Sequence, residues 1–143
     1  MNHLKEKKEA FAELLEVIET LRKQCPWDKK QTFESLRSLT IEEVYELGDA
    51  ILEKDLPEVK KELGDLMMHM VFYASLAEEQ GDFDMADVLR GICEKLRYRH
   101  PHIYGDVQVK DEKDVLQNWE QLKLKEKGRK HKVLEGVNLP GLR

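Results

Sequence analysis

Apolar residues recur every three or four positions along most of the chain, with charged residues between them. This is the spacing of an amphipathic α-helix, which buries one stripe and leaves its other face in water. The first run predicts a helix over residues 3–24. Its apolar stripe consists of Phe11, Leu14, Leu15, Ile18 and Leu21. Pro26 and Asp28 then interrupt the pattern, so we expect a loop there.

The middle of the chain predicts two consecutive helices. One begins near Thr32 or Thr40, because threonine suits a helix N-terminus, and runs to about Lys54. The next begins at Asp55, which can cap it, and Glu58 can complete a capping box three residues later. Only seven residues, 51–57, contain the turn between them, so the two helices should be antiparallel neighbours.

Two further helical patterns follow, over residues 83–99 and 111–128, and no useful strand alternation occurs. The sequence therefore predicts an all-α protein. With 143 residues we expect one principal domain. The basic segment KLKEKGRKHK at residues 123–132 marks a change of composition, which divides the chain into a domain at 1–124 and a tail or linker at 125–143.

Charge and cysteine usage exclude several classes of function. The net charge of −5 argues against a general nucleic-acid binder. Cys25 and Cys93 lie far apart, so neither a disulfide framework nor a zinc knuckle is indicated, and a reducing cytoplasm fits. The chain has no run of about 18 apolar residues and no secretory h-region, so we expect no membrane association.

Acidic residues are crowded into the two central helices. Glu43 and Glu46 are three apart on the first, and Glu62 and Asp65 are three apart on the second, so each pair shares a face. Because the second helix is apolar almost all round from residue 66 to 74, its acidic stripe should face an interior groove. Four converging carboxylates would need cations, and oxygen ligands select Mg²⁺ or Mn²⁺.

Each observation also has a structural explanation. Glu43 is the third residue after Thr40, the position of a capping-box glutamate, and E-x-x-E pairs are common on solvated helices. His69 lies on the same stripe as the second acidic pair and suits an interior histidine with a hydrogen-bond partner. A di-iron oxidase is a poor fit, because Glu62 is followed three residues later by Asp65 rather than by histidine.

Five ordered blocks of sequence together resemble the MazG family of nucleoside triphosphate pyrophosphohydrolases. They are CPWDKKQTFESL, LTIEEVYELGDAI, ELGDLMMHMVFYA, KLRYRHPHIYGDV and NWEQLK, within residues 8–140. The likeness is greatest to the N-terminal domain of two-domain members. It implies helical hairpins packed into a dimeric four-helix-type bundle. It also implies Mg²⁺-dependent hydrolysis of nucleoside triphosphates to monophosphates and pyrophosphate, as house-cleaning of the nucleotide pool.

The resemblance assigns roles to individual residues. The family's E-x-x-E and E-x-x-D signature corresponds to metal ligands Glu43, Glu46, Glu62 and Asp65, holding two or more ions. Glu43 and Glu46 are thereby placed in the catalytic centre. Glu42 lies next to them in the sequence and is a candidate either to accept the proton of the attacking water or to support a metal ligand. The predicted nucleotide-binding residues are Lys95, Arg99, Trp119, Lys123, Trp27 and Asp28. For these six, surface ion pairing, core packing or a tight structural loop are the alternatives.

Other functions within the same fold stay open. The chain could be a fragment of a two-domain protein, and a catalytically inactive dimerisation or regulatory module would keep the same helices. A more specific all-α pyrophosphohydrolase acting on dUTP, dCTP or phosphoribosyl-ATP is a further alternative. One candidate stacking residue, Trp119, reads the face of a base rather than its hydrogen-bonding edge, so the sequence does not identify the base.

Overall fold

Helices make up the described part of the molecule. The computed structural model describes residues 3–106 and 108–133, with side chains described up to residue 127. Within these residues the chain forms seven helices and no strand, which confirms the predicted all-α class. The helices are α1 (Leu4–Gln24), α2 (Pro26–Lys29), α3 (Phe33–Leu52), α4 (Leu56–Glu79), α5 (Met85–Arg99), α6 (Pro101–Tyr104) and α7 (Glu112–Val133). None of these described helices is both long and apolar enough to cross a lipid bilayer.

The chain divides into two compact units, Met1–Val88 and Leu89–Arg143. The first contains α1 to α4 and the start of α5, and the second contains the rest of α5 with α6 and α7. The boundary predicted at residue 124 falls inside α7, whose backbone stays helical to Val133. The last part of the predicted tail, residues 134–143, lies outside the described residues. The division into 1–124 and 125–143 therefore stays a prediction.

Apolar side chains of α1, α3 and α4 form the core of the first unit. Its buried members are Ile18, Leu36, Val71, Phe72 and Leu76. Helix α4 packs against both α1 and α3, which explains why its sequence is apolar on several sides. Burial is nevertheless less complete than the sequence predicts, because Met67, Met68 and Met70 of α4 are exposed in the single chain.

The hydrogen bonds at the start of α3 show which of the two candidate threonines caps this helix. The Thr32 hydroxyl accepts a hydrogen bond from the Ser35 backbone N–H at 3.1 Å, and Ser35 Oγ accepts one from the Thr32 N–H at 2.8 Å. This reciprocal pair is a capping box, so the helix begins after Thr32. Thr40 lies inside the helix and donates to the Leu36 carbonyl at 3.1 Å. Glu43 is therefore not a capping residue, and the capping explanation of its position is wrong.

The turn between α3 and α4 is short, and Asp55 caps α4 as predicted. The predicted capping box is not completed by Glu58, because the Asp55 N–H donates to the Ala50 carbonyl at 3.1 Å. Asp55 Oδ1 accepts a hydrogen bond from the Glu58 N–H at 3.2 Å, and Pro57 lies in the first turn of α4. Lys54 adopts a left-handed backbone conformation, with φ of 58°, that reverses the chain. The two helices return alongside each other and make the most extensive helix contact within the described residues. The hairpin predicted from the turn length is thus confirmed.

Two single-turn helices, α2 and α6, occupy segments that the sequence predicts as loops. Each begins at a proline, Pro26 or Pro101. Proline fixes φ near the helical value and needs no N–H partner at the first helical position, so it starts these turns rather than only ending the preceding helix. The Cys25–Gln31 connection is consequently a compact turn.

Arg22, near the end of α1, holds this connection against α4. Its Nη1 donates to the Asp28 carbonyl at 2.5 Å, while Nε and Nη2 donate to the two carboxylate oxygens of Glu79 at 3.0 and 2.9 Å. The guanidinium also lies over the Phe72 ring, 5.5 Å from its centre. One side chain therefore ties together the end of α1, the α2 turn and the end of α4.

Candidate metal and nucleotide site

Three carboxylates from the α3–α4 hairpin converge in the first unit. Glu43 comes from α3, and Glu62 and Asp65 come from α4. One oxygen of each lies within 4.8 Å of the others. Glu62 is only 2% exposed, and the other two are half-buried. The acidic stripe of α4 is therefore turned inward at Glu62, and three of the four predicted ligands lie close together there.

The electrostatics of this cluster favour a bound cation. A hydrogen bond with Glu43, burial, and the negative charges of Glu43 and Glu46 raise the pKa of Glu62 from 4.5 to about 8; a hydrogen bond with Glu58 adds to this. Glu43 Oε2 and Glu62 Oε2 are buried without a hydrogen-bond partner among the described residues. Buried acceptor oxygens without donors are costly, and a hard cation would satisfy them. The residues present therefore fit a metal ion.

Glu46 and Glu42 lie outside the group of three. Glu46 is exposed on α3, and its charge still contributes to the raised pKa of Glu62. Glu42 is exposed as well, and within the described residues it makes no hydrogen bond or ion pair. The structure thus brings Glu43, Glu62 and Asp65 together, leaves Glu46 close enough for its charge to act on Glu62, and leaves Glu42 exposed on α3.

A partly buried polar network adjoins the acidic cluster. Thr40 Oγ1 lies 2.6 Å from His69 Nδ1 and 2.5 Å from Tyr73 Oη. His69 is buried, which confirms the prediction of an interior histidine with a partner. Tyr73 also stacks on Phe33, with ring centres 5.6 Å apart. His69 and Tyr73 share the acidic stripe of α4 in the sequence, but nothing local identifies Thr40 as their partner.

Hydrogen bonds from side chains to backbone carbonyls hold the turn that carries Trp27 and Asp28. The Trp27 carbonyl accepts from Gln31 Nε2 at 3.0 Å, and the Asp28 carbonyl accepts from Arg22. The Trp27 side chain is 58% exposed, and Asp28 is half-buried. The alternative of a tight structural loop is therefore correct for the backbone, while the exposed indole is available to a ligand.

In the second unit, Trp119 is flanked by two cations. Lys123 Nζ lies 4.7 Å and Arg99 Cζ 5.6 Å from the centre of its ring. Trp119 Nε1 is buried without a hydrogen-bond partner among the described residues. These three residues, predicted separately from two sequence blocks, are thus neighbours. The grouping offers an aromatic face beside positive charge, which suits a base with attached phosphates.

Arg99 is already paired in this structure. Its Nε and Nη2 donate to the two carboxylate oxygens of Glu126 at 3.0 and 2.5 Å, and both side chains are mostly buried. Ion pairing was the alternative to nucleotide binding that the sequence offered for Arg99. The spacing of residues along the chain did not reveal Glu126 as the partner. Lys95 is half-buried on α5, and it makes no hydrogen bond or ion pair within the described residues.

Known proteins share both the sequence and the fold. Residues 31–104 match the sequence model of the MazG nucleotide pyrophosphohydrolase domain. The chain is 42% identical over 136 residues to the nucleoside triphosphate pyrophosphohydrolase of Escherichia coli strain K12, covering 90% of this chain and 52% of that protein. It is 47% identical over 122 residues to the nucleoside triphosphate pyrophosphohydrolase/pyrophosphatase MazG of Thermotoga maritima, covering 84% of this chain and 46% of that protein.

A solved structure agrees with these matches. The crystal structure of a mazG-related protein from Thermotoga maritima superposes with a TM-score of 0.68 at 26% identity, covering 79% of this chain and 98% of that one. The chain spans about half the length of the two curated relatives described above. The sequence match covers the hairpin and its acidic residues, and the structural match covers most of the chain. The chain therefore belongs to the MazG family.

Proposed function

We propose that this chain hydrolyses nucleoside triphosphates to nucleoside monophosphates and pyrophosphate, in the cytoplasm and with Mg²⁺ as cofactor. The observation that carries the proposal is the convergence of Glu43, Glu62 and Asp65 within 4.8 Å. The Escherichia coli and Thermotoga maritima relatives are nucleoside triphosphate pyrophosphohydrolases, which supports the same reaction for this chain. House-cleaning of the nucleotide pool is the corresponding role in the cell.

The acidic cluster would hold the cofactor. Glu43 and Glu62 each supply a buried oxygen, Asp65 supplies a half-buried carboxylate, and Glu46 adds a fourth carboxylate at the edge. Because one Mg²⁺ takes only one or two protein carboxylates and completes its shell with water and phosphate, four favour two or more ions. When bound, Mg²⁺ neutralises the triphosphate and lowers the barrier to attack of water on the α-phosphorus, with Mn²⁺ as the alternative ion.

The side chains of this chain have separate tasks in the reaction. Glu62 must give up its proton to solvent before it can act as an anionic ligand, since its raised pKa keeps it largely protonated near neutral pH. Glu42 is exposed beside Glu43 and is the candidate to accept the proton of the attacking water. The bond from the α-phosphorus to the bridging oxygen breaks, and pyrophosphate leaves.

Four of the six candidates for nucleotide contact belong to the second unit. Trp119 offers an aromatic face for the base, and Lys123 beside it can contact phosphate. Arg99 and Lys95 are four residues apart on α5, a spacing that puts both on one face toward phosphate. Trp27 and Asp28, on the compact α2 turn, are the remaining candidates for nucleotide contact.

We further propose that the active form is a homodimer formed through the α3–α4 hairpin. Apolar residues at helical spacing stay exposed on both helices. They are Ile41, Val44 and Ile51 on α3, and Leu63, Met67 and Met70 on α4. Two such stripes on one hairpin are more apolar surface than a monomer ordinarily leaves in water. Sedimentation velocity should report a dimer, and Met67→Glu should shift it to monomer while Lys60→Glu, an exposed control on α4, should not.

A pyrophosphate-release assay tests the reaction itself. Canonical and damaged ribo- and deoxyribonucleoside triphosphates, dUTP, dCTP and phosphoribosyl-ATP would be compared with Mg²⁺, with Mn²⁺ and with EDTA. Product analysis by mass should show monophosphate and pyrophosphate, which locates the cleaved bond between the α- and β-phosphates. Turnover of one substrate alone would establish the more specific enzyme. Absence of turnover with every substrate would contradict the proposal and favour an inactive dimerisation module.

A further inference from the structure

We propose that Thr40 is a positioning residue, which sets the register of α3 against α4 and so holds Glu43 opposite Glu62 and Asp65. This inference rests on the proposed function, because it concerns how the metal cluster is assembled. Three contacts of one hydroxyl carry it. Thr40 Oγ1 lies 2.6 Å from His69 Nδ1, 2.5 Å from Tyr73 Oη and 3.1 Å from the Leu36 carbonyl.

Counting the donors and acceptors leaves one arrangement of these three hydrogen bonds in which each bond has one donor and one acceptor. A threonine hydroxyl has one proton to donate and two lone pairs to accept with, whereas a carbonyl can only accept. Thr40 therefore donates to Leu36, and both His69 Nδ1–H and the Tyr73 hydroxyl donate to Thr40. The hydroxyl is then fully used, and the arrangement requires a proton on His69 Nδ1. Two donors on α4 thus meet one acceptor on α3.

The position of this network relates it directly to the acidic cluster. Thr40 precedes Glu43 by three residues on α3, and His69 follows Asp65 by four on α4, so in each helix the two residues share a face. Because the helices are antiparallel, the network and the cluster occupy adjacent turns of the same helix contact. A shift of one residue in α3 would rotate Glu43 by about 100° away from its partners.

The other forces at this contact are less selective for the position of the carboxylates. The hydrophobic driving force between α3 and α4 is not directional, so the register there depends on side-chain packing and on specific hydrogen bonds. The carboxylates repel one another before a cation binds, which opposes the close approach that the site needs. The partly buried hydrogen-bond network loses its partners when the helices slide, and this loss is costly for the buried His69. The network therefore penalises every register but the one that assembles the cluster.

The test compares Thr40→Val, which removes the hydroxyl at nearly the same volume, with Thr40→Ser, which keeps it. Thr20→Val is the control, because Thr20 is exposed on α1. Mn²⁺ affinity is measured by calorimetry without nucleotide, and amide hydrogen exchange of α3 is measured in EDTA. We expect Thr40→Val to bind Mn²⁺ about tenfold more weakly, the lower end for loss of a supporting contact at a metal site. Exchange near Glu43 should also accelerate in this variant.

The other variants separate the hydroxyl from packing. Thr40→Ser should bind Mn²⁺ within about threefold of wild type, because it keeps the hydroxyl. Thr20→Val should bind Mn²⁺ as tightly as wild type. Loss of a supporting contact at a metal site would instead cost about tenfold or more. Equal Mn²⁺ affinity in wild type and Thr40→Val would overturn the inference, as would equal weakening in the valine and serine variants. If wild type binds no Mn²⁺, the proposed metal site fails instead. The exchange comparison in EDTA then still decides whether Thr40 sets the register.

Discussion

Arg99 holds Glu126 through two parallel hydrogen bonds, from Nε to Oε1 at 3.0 Å and from Nη2 to Oε2 at 2.5 Å. This pairing uses two of the five N–H donors of the guanidinium. It also places a carboxylate beside the residues proposed to bind phosphate, Lys123 and Arg99 itself. Any triphosphate that approaches Arg99 must therefore share the guanidinium with Glu126 or displace it.

Glu126→Gln should strengthen triphosphate binding. The substitution removes a negative charge that repels phosphate and releases Arg99. We expect the dissociation constant of a non-hydrolysable triphosphate analogue to fall by about three- to tenfold, at most about 1.4 kcal/mol. Isothermal titration at low salt measures it, with Glu120→Gln, an exposed position on α7, as control. Weaker binding would mean instead that Glu126 is needed to orient Arg99.

Substitution within the acidic cluster should stop catalysis without unfolding the chain. Asp65→Asn and Glu46→Gln each remove one anionic oxygen ligand while keeping side-chain volume. We expect pyrophosphate release to fall by more than about 100-fold, beyond the loss typical of a merely supporting residue. Asp49→Asn, exposed on α3 outside the cluster, is the matched control. Circular dichroism should be unchanged in all three, and near-normal turnover in either ligand variant would refute the proposed metal site.

The metal-free protein should lose stability as the pH rises from about 4.5 to about 8. In that window Glu62 keeps its proton in the folded chain, where its pKa is raised to about 8, but loses it in the unfolded chain. The folded state then binds more protons, so the free energy of unfolding decreases with pH until both states are ionised. Thermal unfolding in EDTA measures this slope.

Glu62→Gln supplies the comparison for that experiment. Glutamine cannot ionise, so the variant should lack the part of the slope that Glu62 causes. Saturating Mg²⁺ should reduce the slope in wild type as well, because a bound cation stabilises the ionised carboxylate. Identical slopes for wild type and Glu62→Gln in EDTA would show that Glu62 does not titrate in this range.

Arg22→Ala should destabilise the first unit. The Asp28 carbonyl and the Glu79 carboxylate would both lose the hydrogen bonds from Arg22, and the α2 turn would lose this attachment to α4. We expect the free energy of unfolding to fall by about 1–3 kcal/mol, the usual range for hydrogen bonds to a charged group. Chemical denaturation measures it. Lys23→Ala is the control, because Lys23 is exposed and pairs only with Glu19 one turn earlier, and its denaturation midpoint should not change.

Much of the helical architecture was predictable because its signals are local. Apolar spacing and the Asp55 cap located α1 and α4 to within a residue or two, since each signal lies within the helix it defines. The single turns after Pro26 and Pro101 were missed, because proline both ends one helix and suits the start of another. The choice between Thr32 and Thr40 depended on which backbone N–H each hydroxyl meets, which spacing does not give.

The sequence predicted which carboxylates share a face of one helix, but not which of them meet across the contact between α3 and α4. Periodicity puts Glu43 and Glu46 on one face of α3 equally well, yet only Glu43 joins Glu62 and Asp65 within 4.8 Å. That distinction depends on how α3 and α4 are aligned. The pairing of Arg99 with Glu126, 27 residues apart, is likewise a tertiary contact that no helical period encodes.

The short α3–α4 turn has a consequence for length variation in this hairpin. Three exposed residues, 53–55, separate the helices. Extra residues there would add only loop-closure entropy, about 0.6 kcal/mol for each doubling of loop length. One residue inserted between Thr40 and Glu46 would instead rotate everything beyond it by about 100°. Insertions, peptide tags and reporter labels can therefore be accommodated at the tip, whereas the helices on either side have fixed lengths.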